Sequence, residues 1–240
     1  MNLLTAETFA ATNGSYWMTI LPRLDHFVRV TNAGPRKFDE PIDKARTQRR
    51  HAFVSETGFY LWAEHQASGE RSSLRRAQDR ARNRLRQLAP HLQLIEPLSA
   101  DESALALLLA QRLHNYCTTT RSLNSIEIER RLRGCGWISG GLPDLIAIDT
   151  SHGHDLSYLA EVKCVDRAFR SADLRQLVCY VVLYYSELRR LPDLLAVVNP
   201  LRGTALEIGL DEFFESVVGS SAADVVNALL VEWSSVGVSP

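Results

Sequence analysis

An aspartate, a glutamate and a lysine carry the pattern in this 240-residue chain that could do chemistry. They lie in Gly141-Leu142-Pro143-Asp144-Leu145 and Ala160-Glu161-Val162-Lys163. Both segments read as strands, residues 145–148 and 158–165, joined by a polar turn. Side chains alternate along a strand, so Glu161 and Lys163 project from one face. If Ile148 pairs with Ser157 in an antiparallel hairpin, Asp144 falls opposite Glu161, and facing residues hold their Cβ atoms ~4.5–5.5 Å apart. Two carboxylates so placed can share one divalent ion, and hard oxygen ligands suit Mg²⁺, with Mn²⁺ as its substitute. A neighbouring ammonium orients an attacking water and stabilises the charge that develops as a phosphodiester breaks. Lys163 is also one of only three lysines against 24 arginines, and the only one after residue 44.

The elements that must position these groups read as an α/β unit: a helix over residues 123–133, a short apolar segment at Trp137-Ile138, the two strands, a helix over 171–188 and a strand over 194–198. A helix over 101–116 precedes it. The first ninety residues predict a small antiparallel sheet followed by a helix. Residues 16–20 and 26–30 are rich in aromatic and β-branched side chains across a Pro22 turn, and residues 51–54 and 59–63 read as a second hairpin across Glu56-Thr57-Gly58. Residues 32–50 read as a long basic loop. From Ser72 or Ser73 as N-cap, Leu74, Ala77, Ala81, Leu85 and Leu88 recur at helical spacing. Three segments are expected: an N-terminal α+β accessory domain over 1–96, an α/β domain over 97–202, and an acidic helical tail over 203–240, with helices at 211–218 and 222–233.

The Pro143-Asp144 pair followed by Glu161-Val162-Lys163 resembles the signature of the PD-(D/E)XK nuclease superfamily, over roughly residues 122–200. Gly140-Gly141-Leu142-Pro143-Asp144-Leu145 is similar to the opening of its VRR-NUC branch. Gln176-Leu177-Val178-Cys179-Tyr180 matches the QxxxY element of RecB-like exonucleases, on the helix after the lysine strand. Archaeal Holliday junction resolvases place a glutamate before these motifs, where Glu127 or Glu129 stands here. The residues do not choose between these branches. The resemblance implies a restriction-endonuclease-like core, a mixed sheet flanked by helices, and a Mg²⁺-dependent deoxyribonuclease. Asp144, Glu161 and the Val162 carbonyl would hold the metal, Lys163 would orient the water, and Gln176 and Glu127 would join the catalytic set, with Tyr180 touching substrate. It also implies a restriction, repair or anti-phage setting, with DNA and a second copy or partner subunit as partners. The competing expectation is a catalytically inactive nuclease-like module that binds DNA or a partner protein.

Charge is unevenly distributed. Residues 1–96 carry 15 Lys+Arg against 10 Asp+Glu, residues 97–202 carry 12 of each, and residues 203–240 carry six acidic and no basic side chains. The densest basic run, Arg71, Arg75, Arg76, Arg80, Arg82, Arg84 and Arg86, is opposed only by Asp79. Arg76, Arg80 and Arg84 form an i, i+4, i+8 row suited to phosphate oxygens, whereas a solvated face, or docking against the acidic tail beyond residue 203, is the competing expectation. Trp17, Tyr60 and Trp62 are expected mainly in the core. No run approaches 18 consecutive apolar residues, and four cysteines without CxxC spacing suggest no disulfide framework, so a cytoplasmic protein with no membrane partner is expected.

Overall fold

The computed structural model describes residues 3–43, 50–69, 73–88, 96–150 and 153–235. Arg71, Ser72 and residues 44–49 of the basic loop lie outside them. The chain runs through strand β1 (Leu4–Thr5), helices α1 (Ala6–Thr12), α2 (Gly14–Ile20) and α3 (Leu24–Ala33), strand β2 (Arg36–Lys37), and helices α4 (His51–Ser68), α5 (Leu74–Leu88) and α6 (Ala100–Asn115). A π-helical turn, Tyr116–Thr120, leads to strands β3 (Leu123–Ile128), β4 (Leu132–Cys135), β5 (Ile138–Gly141), β6 (Leu145–Asp149) and β7 (Leu156–Val162). Helix α7 (Ser171–Leu188), strands β8 (Leu194–Asn199) and β9 (Thr204–Gly209), and helices α8 (Leu210–Val217) and α9 (Ala222–Ser235) complete it. The fold is mixed α/β.

Six strands form the central sheet in the order β2-β9-β8-β7-β6-β3. Within this sheet only β7 and β8 pair in parallel, and α7 is the crossover that this requires; β1 pairs in parallel with β5 in a separate three-stranded sheet, β1-β5-β4. Alternation along the strands divides the core. Ile146, Leu159, Leu195, Val197 and Leu206 pack with α7, α1–α3, α8 and α9 on one face. Leu145, Ala147, Tyr158, Ala160, Ala196 and Val198 meet Trp62, Leu113 and Tyr116 on the other. The first of these clusters unites side chains from residues 6–28, 132–208 and 210–233. The hairpin has the expected register: Ile148 faces Ser157 and Leu145 faces Ala160, so one further step sets Asp144 against Glu161.

The N-terminal antiparallel sheet is not formed. Residues 16–20 lie in α2, residues 26–30 in α3, and both halves of the supposed second hairpin in the single helix α4. Tertiary packing overrides β-propensity here. Trp17, Leu21, Leu24 and Val28 recur at four- and three-residue spacing and bury one stripe, whereas α4 is buried more broadly, with Phe53, Val54, Tyr60 and Leu61 packed against α5 and α6 and Trp62 and Ala63 against the sheet. Gly58 is no turn residue: a Cβ there would come within 2.9 Å of the Ala106 carbonyl oxygen, so its smallness lets α4 approach α6 closely.

The helix expected over 123–133 is instead β3 and the start of the β4–β5 hairpin. Alternating Leu123, Ile126 and Ile128 complete the sheet beside β6, and a bulge at Ser125, with φ of 49°, shifts their register. Helix α7, predicted over 171–188, has those bounds, and Ser73 Oγ caps α5 by accepting from Arg76 N. The expected helical tail over 203–240 is only partly helical: Thr204–Gly209 form β9 of the central sheet, because alternating apolar side chains there pair with β8, and the two expected helices follow it. α9 packs on α7 and β4, and Glu207 pairs with Arg36 and Arg121. No single helix among the described residues is long and apolar enough to cross a membrane.

Candidate active site

Asp144 ends the approach to β6 and Glu161 sits at the last turn of β7, so the hairpin register brings the two carboxylates together. The Val162 N–H donates to Asp144 Oδ2 at 2.7 Å, holding this carboxylate against the end of β7. Lys163 follows on the same face. Its Nζ donates to Glu161 Oε1 at 2.8 Å and to Gln176 Oε1 at 2.9 Å, and Gln176 Nε2 donates to Glu161 Oε1 at 2.9 Å. Gln176 and Tyr180 are one turn apart on α7, and Gln176 Nε2 also reaches the Tyr180 hydroxyl at 2.7 Å.

Close packing sets this helix against the loop before Asp144. A Cβ on Gly141 would lie 2.7 Å from two ring carbons of Tyr180, which is fully buried. Gly141→Ala is expected to cost about 1–3 kcal/mol of stability, the usual cost of overpacking. A urea melt that matched the wild type would show that the Tyr180 ring is not constrained there.

Asp144, Glu161, Lys163 and Gln176 line a cleft of about 400 Å³ together with Glu7, His51, Glu56, Phe59, Arg84 and Glu129. Carboxylates therefore outnumber cations. Tyr180, expected to touch substrate, is fully buried and does not line the cleft. Burial, and then the Glu161 charge, push Asp144 well above the ordinary aspartate range, and burial likewise raises Glu161. Burial opposes the Lys163 ammonium, but Glu161 and Asp144 outweigh it and hold its pKa above normal, so it stays charged.

One oxygen of Glu161, Oε2, is buried with no hydrogen-bond partner. Two acids in repulsion, one with an orphaned oxygen, fit a divalent cation as the missing partner. Among the described residues no three His, Cys, Asp or Glu side chains gather around one point. A cation here would take from the chain only Asp144, Glu161 and the Val162 backbone, a set that would leave positions for water and substrate oxygens.

Other expected residues separate. Glu127 does not reach the cleft: it is half-exposed and pairs with Arg130 at 3.0 Å. Glu129 reaches it, because its left-handed backbone (φ 49°) ends β3 and turns the chain toward Asp144, whose carbonyl accepts from Glu129 N at 3.2 Å. Tyr60 donates to Glu129 Oε1 at 2.9 Å, and Arg80 lies 3.4 Å from Oε2 with its guanidinium 4.3 Å from the Tyr60 ring centre. Arg76 is largely exposed and pairs with Glu64 at 3.5 Å. Arg84 alone of the row lines the cleft, and none of the described residues holds it by hydrogen bond or ion pair. Trp17 and Trp62 are buried in the core as expected. The cysteines are free thiols, Cys117 and Cys179 buried, Cys135 and Cys164 partly so.

Glu56 escaped the sequence reading because Glu56-Thr57-Gly58 looked like a turn. On α4 it faces the cleft, where burial, followed by the charges of Glu129 and Glu161, lifts its carboxyl to about 7 despite Arg84 and Lys163. An acid raised in the fold binds its proton more tightly there, so folding loses stability as pH climbs from about 4.5 to about 7. That interval corresponds to roughly 3 kcal/mol at full linkage. Glu56→Gln should therefore raise the melting temperature of the metal-free protein at pH 8 and leave it nearly unchanged at pH 4. Equal gains at both pH values would remove the electrostatic explanation.

Comparison of the sequence with protein-family models finds none that matches, and comparison with curated proteins finds no match either.

Proposed function

We propose that this protein is a Mg²⁺-dependent nuclease with DNA as its substrate, built on a restriction-endonuclease-like core of α6, β3, β6, β7, α7 and β8. One observation carries the reading. Asp144 faces Glu161 across the β6–β7 hairpin while Lys163, bonded to Glu161 and Gln176, stands on the same strand face. The orphaned Glu161 Oε2 and the excess of carboxylates in the cleft support a cation there. DNA is preferred because the branches that the motifs resemble act mostly on DNA.

Asp144, Glu161 and the Val162 carbonyl would hold Mg²⁺, which supplies Lewis acidity toward the phosphate and the attacking water. The residues do the rest. Lys163 presents a charged N–H donor that orients the water in line with the leaving oxygen and offsets the growing negative charge. Gln176 keeps that ammonium from collapsing wholly onto Glu161. Arg84, uncommitted on the opposite wall, is available to a phosphate oxygen of the bound strand.

The test is incubation of the protein with linear and circular DNA, single- and double-stranded, in Mg²⁺ or Mn²⁺ against an EDTA control. Cleavage that needs the ion and disappears with Asp144→Asn supports the proposal. Absence of cleavage on all four substrates, with no divalent-ion binding by calorimetry in the presence of DNA, would overturn it.

A further inference from the structure

The Tyr180 hydroxyl has a partner from the far end of the chain. It donates to Glu7 Oε1 at 2.7 Å, and Glu7 stands in the first turn of α1, a helix that packs along α7. The hydroxyl carries one proton and accepts through its lone pairs. With the proton committed to Glu7, the oxygen receives the 2.7 Å hydrogen bond from Gln176 Nε2. That bond keeps the amide nitrogen toward Tyr180 and Glu161, and so turns Oε1 toward Lys163 Nζ. The opposite amide orientation would set NH₂ against NH₃⁺ and one oxygen against another.

We infer that Glu7 is a positioning residue: through Tyr180 and Gln176 it fixes the Lys163 ammonium, which ties the N-terminal helix to the chemistry of the site. The inference rests on the nuclease reading for its functional meaning, but the positioning itself does not require catalysis. The alternative acceptor for the Tyr180 proton, the Leu142 carbonyl, is at 3.3 Å and uncharged. Loss of Glu7 therefore weakens the chain without dissolving it. Nothing in the sequence motifs links residue 7 to residue 163; only the packing of α1 on α7 does.

A double-mutant cycle tests the coupling. Glu7→Ala and Tyr180→Phe should each lower kcat about tenfold with little change in KM, and their combination should be no worse than Tyr180→Phe alone. Glu7→Gln, which keeps an acceptor oxygen, should recover most of the rate. Independent, multiplying losses would mean that Glu7 acts by another route, through its own charge beside Glu161 in the cleft or through the stability of α1, and would overturn the inference while leaving the nuclease reading intact.

A second readout needs no activity. The chain has three lysines, so isotopic labelling of lysine side chains resolves Lys163 by comparison with Lys163→Arg. The Lys163 ammonium resonance should be protected from exchange in the wild type and in Glu7→Gln, and lose protection in Glu7→Ala and Tyr180→Phe. An unchanged Lys163 signal in Glu7→Ala would overturn the inference even if the protein cleaved no DNA. Melting temperatures on each variant separate this from general unfolding.

Discussion

Asp144→Asn and Lys163→Ala should each reduce DNA cleavage by about a thousandfold, the scale on which a preorganised electrostatic group acts, while the protein stays folded and still binds DNA. The two losses have different origins. Asp144→Asn removes a carboxylate that burial, and then the Glu161 charge, already lift well above its ordinary range. Without divalent ion this variant should melt no lower than the wild type at neutral pH, because a strained acid has become a neutral amide. If the proposed site binds Mg²⁺, a hundredfold excess over Kd should stabilise the wild type by about 2.7 kcal/mol, and Asp144→Asn should forfeit that gain. Lys163→Ala leaves both acids in place but strips Glu161 Oε1 of its 2.8 Å partner. It should melt lower without the ion, bind Mg²⁺ at least as well, and still fail to cleave. Wild-type rates in either variant would defeat the assignment, and loss of Mg²⁺ binding in Lys163→Ala alone would mean that the lysine organises the site and does not act on the water.

How far the sequence could be read depended on whether a residue's role was local. The β6–β7 hairpin was legible because two short apolar runs flank a polar turn, so that one assumed pairing, Ile148 with Ser157, fixes the others by arithmetic. Helix α7 was legible as a long apolar run between two strands, and it is buried almost continuously from Leu174 to Tyr184. Whereas the helices after Ser73 and over 101–116 were legible, the first 63 residues were not, since short aromatic runs such as Tyr16-Trp17-Met18 satisfy strand propensity while their burial follows a helical stripe against α7 and α9. The same error hid Glu56, which a turn would have left in solvent. Glu127 and Glu129 were indistinguishable without the backbone: two residues apart, one turns outward to Arg130 and the other, at positive φ, turns in. Glu7 lay beyond reach altogether, because its contact to Tyr180 spans 173 residues.

Arg84 supplies the second large effect, and the structure changes what should be expected of it. As one of three arginines on an exposed row it would contribute only affinity, but its place in the cleft sets it apart from Arg76 and Arg80. Burial opposes its charge, yet Tyr60, Glu129, Glu56 and Asp144 hold its pKa above normal. Arg84→Ala should lower kcat/KM ten- to a hundredfold, since a charge-assisted contact is worth roughly 1.5–3 kcal/mol. It should also flatten the dependence of log K on log salt by about 0.9 for a duplex phosphate or 0.7 for a single strand. Arg76→Ala, largely solvated and loosely paired with Glu64, should alter neither kcat nor melting temperature appreciably. The rival role for Arg84 is internal: a counter-charge for Glu56 and Glu129 with no part in binding. In that case Arg84→Ala would lose stability most at high pH, where Glu56 is ionised, and the salt slope would stay where it was. Adding Glu56→Gln to Arg84→Ala separates the two, because removing the acid restores the lost stability but cannot restore a missing phosphate contact. Recovery of the melting temperature with binding and cleavage still impaired is the result expected if Arg84 faces the substrate.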